Sequence, residues 1–83
     1  MSDKWQPVLV ESVEAKRGVR YVGYVQQRRP AKVRRFGGAP FASWIRREVG
    51  GVLEGAPLEF ADYRSEQEAR AHIAYALRKL RRA

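Results

Sequence analysis

Ten basic side chains fall between Ala15 and Arg47, and no carboxylate interrupts them. They are Lys16, Arg17, Arg20, Arg28, Arg29, Lys32, Arg34, Arg35, Arg46 and Arg47. Guanidinium and ammonium groups at this density attract and grip polyanions, and a chain of phosphates is the usual partner. The densest stretch is VQQRRPAKVRRFGG, Val25 to Gly38, with five basic residues around Pro30. From Glu48 to Glu68 the sign reverses, with six acidic residues against Arg64 alone, and the tail turns basic again at Arg78, Lys79, Arg81 and Arg82. The net charge of +8 is thus segregated along the chain, a pattern expected to put a positive field over one part of the surface.

These groups need elements to aim them. VRYVGYVQQR, Val19 to Arg28, reads as a strand with Val19, Tyr21, Gly23 and Val25 on one face and Arg20, Val22, Tyr24, Gln26 and Arg28 on the other. The second face combines a stacking ring, an amide and two guanidinium groups, the side chains that contact bases and phosphates. PVLVESVE, Pro7 to Glu14, predicts the partner strand of an antiparallel hairpin, with Gly18 available for a positive φ in the turn. Pro30 cannot donate to a ladder, so the strand must end near it. Residues 29–39 are expected to form a basic loop, in which KVRRF is either ordered loop or a short strand. This loop extends the strand face with Arg29, Lys32, Arg34 and Arg35.

PFASWIRREVGG has Pro40 at its start, Gly50-Gly51 at its end, and Phe41, Trp44, Ile45 and Val49 at helical spacing. The spacing predicts a short helix from which Arg46 and Arg47 project together. Alternation would put Ile45 and Arg47 on one side, which counts against a strand. PLEFADY, Pro57 to Tyr63, predicts a further strand. Ser65 followed by Glu68 is a capping-box arrangement opening a helix from Glu66 to about Arg81, whose core stripe is Ala69, Ile73, Ala76, Leu77 and Leu80. The expected fold class is α+β: an antiparallel β-hairpin, a short helix, a third strand and a long C-terminal helix packed on one face of a small sheet.

Residues suited to catalysis are few. His72 is the only histidine and lies at the border of the apolar stripe, where the sequence places no serine or cysteine to partner it. Glu66 and Glu68 at a helix start cap it and offset its dipole. There is no phosphate-binding GxxxxGK[ST] loop and no zinc-ligand spacing, so neither a cofactor nor a metal is expected. Tyr21-Val22-Gly23 resembles the second half of the motif that names the GIY-YIG nucleases, with Arg28 or Arg29 in place of that family's arginine. The resemblance implies a metal-dependent nuclease fold. The first strand, however, lacks the matching tyrosine, and no helix residue after Glu68 is a carboxylate that would ligate the metal. SEQEARAHIAYALRKL is similar to the closing helix of double-stranded RNA-binding domains and of the three-stranded DNA-binding modules of phage integrases and AP2-type factors. In the RNA-binding family that helix opens with phosphate-gripping lysines; here Glu66 and Gln67 occupy those positions.

Eighty-three residues make one small domain, 1–83, with residues 1–6 expected to be frayed. A chain this short buries only about 60% of the surface it exposes when unfolded. Without cysteine it must be held by apolar packing. No run reaches the roughly 18 apolar residues of a membrane span, and the N-terminus lacks a signal-peptide core, so a cytoplasmic protein of a bacterial or phage accessory kind is expected. The reading that follows is a small non-enzymatic nucleic-acid-binding protein, with DNA slightly ahead of RNA. It grips phosphates with Arg17, Arg20, Tyr24, Gln26, Arg28, Arg29, Lys32, Arg34, Arg35, Arg46 and Arg47. The alternative is a protein-interaction module that meets an acidic partner with the same basic surface and an anchor of Phe36, Phe41 and Trp44. Contact with about five phosphates implies a log–log salt slope near −4.5.

Overall fold

A computed structural model describes residues 4–82. Five strands form one antiparallel sheet: β1 (Val8–Lys16), β2 (Val19–Gln27), β3 (Phe41–Val49), β4 (Val52–Leu53) and β5 (Glu59–Tyr63). The first three make a meander in the order β1-β2-β3, and β4 and β5 share the remaining edge of β3. Between β2 and β3 lie a one-turn helix, α1 (Pro30–Val33), and a 3-10 turn (Arg34–Phe36). The chain ends in the long helix α2 (Glu66–Arg82). The expected α+β class, with the C-terminal helix on one face of the sheet, is the observed one.

Each face of the sheet follows from the period-two geometry of its strands. On one face Gly23 pairs with Ile45, and Val25 with Ser43. Against these, α2 lays Ala69, Ile73, Ala76 and Leu77, and the resulting core is flanked by Val10, Val13, Tyr21, Phe41, Tyr63 and Leu80. Ile45, Ile73 and Leu77 are fully buried, each contributing roughly 1.5–3 kcal/mol of transfer free energy. Gly23 is what lets the helix sit so close: a Cβ there would collide with the Ile73 Cγ2 methyl. Ser65 caps α2, its Oγ accepting the Glu68 N–H at 3.2 Å, as the capping box requires.

The PFASWIRREV segment is strand β3 and not the expected short helix. It lies in the middle of the sheet, paired with β2 along its whole length and with β4 and β5 on its other edge. Ile45 faces α2 and Trp44 packs between Tyr24 and Phe60 on the opposite face, so apolar residues fall on both sides of the strand and their spacing mimics a helical stripe. Arg47 shares the parity of Ile45 but lies near the strand end, where it meets Glu54 in an exposed ion pair at 2.6 Å. Gly50-Gly51 is a two-residue hairpin turn between Val49 and Val52, with φ of 59° and 85° as such tight turns demand. The short helix of this fold is α1, in the segment read from sequence as loop or strand. Of the N-terminal residues read as frayed, residues 1–3 lie outside the described residues, whereas Trp5 is tied to the sheet by Gln26 Nε2 donating to its carbonyl at 2.7 Å.

Candidate nucleic-acid interface

The face of the sheet that α2 does not cover carries a row of aromatic rings, one from each of three neighbouring strands. Tyr24 of β2 stacks on Trp44 of β3 at 5.9 Å between centroids, and Trp44 on Phe60 of β5 at 6.2 Å. The register places these three residues opposite one another, so the row follows from strand pairing. Val22 is buried beneath this surface, while Phe60 keeps 54% of its surface exposed. Leu9 and Leu53 are also exposed near its margins.

Polar and basic groups surround the row. Arg20, Gln26 and Arg46 share the face with it, Arg20 paired to Glu48 at 3.3 Å. Arg46 makes no ion pair among the described residues, and its buried Nε has no hydrogen-bond partner there. It lies at the junction of two shallow hollows, one shared with Tyr24, Trp44 and Leu53, the other with Gln26, Trp44 and Phe60. At the end of the face where β2 gives way to α1, a cleft of about 190 Å³ is lined by Trp5, Gln26, Arg28, Arg29, Lys32 and Phe60.

The eleven residues singled out from sequence divide into three groups. Arg20, Tyr24, Gln26, Arg29, Lys32 and Arg46 meet on or at the rim of the open face. Arg34 and Arg35 are exposed in the 3-10 turn beyond the cleft, and Arg17 lies at the opposite end of β2, ~30 Å away at ~3.3 Å per residue. Arg28 and Arg47 do other work. Arg28 is only 7% exposed, donating to the Ala39 carbonyl at 3.1 Å and pairing with the Asp62 carboxylate, so it pins the 29–39 segment and β5 to the sheet. Arg47 shares the parity of the helix-covered face, so Arg46 and Arg47 do not project together; Glu54 holds its pKa above the ordinary arginine value through their hydrogen bond.

Separation of charge along the chain therefore does not survive folding intact. The acidic segment returns to the basic one through Arg20–Glu48, Arg28–Asp62 and Arg47–Glu54. Of the ten basic residues between Ala15 and Arg47, Lys16, Arg17, Arg29, Lys32, Arg34, Arg35 and Arg46 stay without an ion pair among the described residues, and Arg29, Lys32, Arg34 and Arg35 lie in one short stretch of chain beside the cleft.

Tertiary structure also supplies His72 with the partners that its sequence neighbourhood lacks. Ser43 Oγ lies 2.8 Å from His72 Nδ1, and Glu59 Oε2 lies 3.4 Å from Nε2. The order serine, histidine, carboxylate is that of a hydrolytic triad, but Ser43 is fully buried under α2, where no substrate reaches its hydroxyl. The chain of contacts links β3, β5 and α2. Tyr63 closes it from the side, 5.5 Å from the imidazole, its phenol pKa raised by burial and then by Glu59 and Glu68. Of the aromatic anchors considered for a protein partner, Phe41 packs against the core and Trp44 stands in the open-face row; the side chain of Phe36 lies outside the described residues.

Comparison with known proteins adds no relative: no family model, curated protein or solved structure matches the chain. Among the described residues no helix is long and apolar enough to cross a membrane.

Proposed function

We propose that this protein binds nucleic acid, and that it does so with the open face of its sheet and the basic turn beside it. The observation that carries the reading is the placement of Arg29, Lys32 and Arg46, with no ion pair among the described residues, around the Tyr24–Trp44–Phe60 row and Gln26. An α-helix behind and a bare, basic, aromatic sheet in front is an arrangement that fits a groove or a strand of nucleic acid, with cations gripping phosphates and the sheet facing the bases. No catalytic step is part of this reading, and DNA is favoured slightly over RNA because the major groove of B-form duplex is wide enough to admit neighbouring strands whereas that of A-form RNA is deep and narrow.

A second reading has one observation in its favour. Leu9, Leu53, Leu58 and Phe60 are exposed, which suits an apolar interface with an acidic protein. Salt separates the two. Fluorescence anisotropy with labelled duplex DNA, single-stranded DNA and duplex RNA across a salt series should give binding whose log–log slope is about −4. No binding to any of the three at low salt would refute the nucleic-acid reading and leave the protein partner.

A further inference from the structure

We infer that the cleft between Trp5 and Phe60 receives one unpaired nucleobase together with its phosphate, so that the preferred ligand is nucleic acid with an unpaired base beside a duplex. The inference rests on the proposed nucleic-acid binding and names the feature that the open face distinguishes.

The rings of the central row are largely committed to one another. Trp44 is stacked on both sides, Tyr24 on one, and Phe60 lies between Trp44 and the Arg28 guanidinium, 6.0 Å from its ring. An entering base would find little uncovered ring face on Trp44, whereas Phe60, 54% exposed, borders the cleft. Trp5 is different. Among the described residues no aromatic ring stacks on it; its neighbours are the Lys4 ammonium at 4.7 Å and the Arg29 guanidinium at 5.3 Å from the ring centre. Both belong to exposed residues, and a flexible cation is displaced from an indole face more easily than a packed ring. Either cation can then meet the phosphate of the base that replaces it.

The rest of the cleft suits that ligand. Gln26 fixes Trp5 by its backbone carbonyl, so the indole is held at the rim and not on a free tail. Lys32 and Arg29 stand on the α1 side, and Arg28 forms part of the wall with its position set by Ala39 and Asp62. Among the described residues no carboxylate lines the cleft. A cavity of about 190 Å³ is concave and small, whereas a stacked base pair presents only its edges to a groove. A base outside the stack can enter such a pocket, and stacking on an aromatic side chain stabilises it there.

The test is anisotropy at one fixed salt concentration with three labelled DNAs: a blunt duplex, the same duplex with a short single-stranded overhang, and the same duplex with a one-nucleotide bulge. The overhang and bulge should bind about tenfold tighter than the blunt duplex, in line with one base–aromatic stack. Trp5→Ala should remove that preference, bringing overhang and bulge to the affinity of the blunt duplex. In a Trp44→Phe background, Trp5 fluorescence should be quenched by the bulged duplex and not by the blunt one. Equal binding of all three DNAs, or a preference that persists in Trp5→Ala, would overturn the cleft assignment while leaving the proposed function standing. Failure of all three to bind would overturn both.

Discussion

The two faces of this sheet are built from alternate residues of the same strands, yet they obey different rules. On the covered face, Gly23, Val25, Ser43 and Ile45 are small or branched, and their sizes are set by how closely α2 approaches. On the open face, Tyr24, Trp44 and Phe60 are large and pack sideways on each other, because no second layer lies above them. A helix that seals one face frees the other from carrying the core, and the open face can then hold polar atoms that a core would not tolerate. Arg46 belongs to that face: the Nε of its guanidinium is buried without a partner among the described residues, an arrangement that costs stability.

Several substitutions would break or sharpen this contrast. The largest effect belongs to the covered face, where Ile73→Ala should lower unfolding free energy by about 2–5 kcal/mol, read by urea denaturation. Gly23→Ala tests the same packing from the sheet side. The added methyl meets Ile73, and overpacking should cost roughly 1–3 kcal/mol, whereas Ala in place of Gly in an open strand would be neutral or better. Asp62→Ala, which unpins Arg28, should cost roughly 1–3 kcal/mol. That is less than a fully buried pair, because the carboxylate is part-exposed. Arg46→Met inverts the pattern: thermal stability should stay level or rise, because a buried donor without a partner is gone, while nucleic-acid affinity falls severalfold in the same anisotropy assay.

The smallest effect is a pH dependence. Tyr63 holds its proton above the ordinary phenol value of 10.0, so the folded state binds that proton more tightly than the unfolded one. Its contribution is therefore full below that value and lost as pH rises through the raised folded-state value. Tyr63→Phe should flatten the alkaline end of the stability profile, with no effect on the open face.

Much of the frame was legible because it rests on local rules. Gly18 at the first turn, Pro30 ending β2, the Ser65–Glu68 cap and the apolar stripe of α2 each depend on residues a few positions apart. The faces of β2 were legible for the same reason, since alternation along one strand needs no partner. β3 escapes such rules because it carries apolar residues on both faces, Ile45 under α2 and Trp44 among the open-face rings, and Phe41, Trp44, Ile45 and Val49 fall at helical spacing. The overlooked signal was Gly50-Gly51 between two valines, which is the mark of a two-residue hairpin as much as of a helix stop.

For the interface, residue types were readable and pairings were not. The sequence by itself determined the excess of positive charge, the β2 face that carries Arg20, Tyr24 and Gln26, and the long closing helix, since each depends on composition or near neighbours. Only tertiary structure decided which cations remain available. Arg28 and Arg47 are bound by Asp62 and Glu54, from 34 and 7 residues away, and Arg46 is not. It also brought Trp44 and Phe60 beside Tyr24, and Ser43 and Glu59 onto His72. Strand register sets which side chains meet, and register is fixed by the hydrophobic face that α2 buries, a condition met only when the whole sheet closes on the helix.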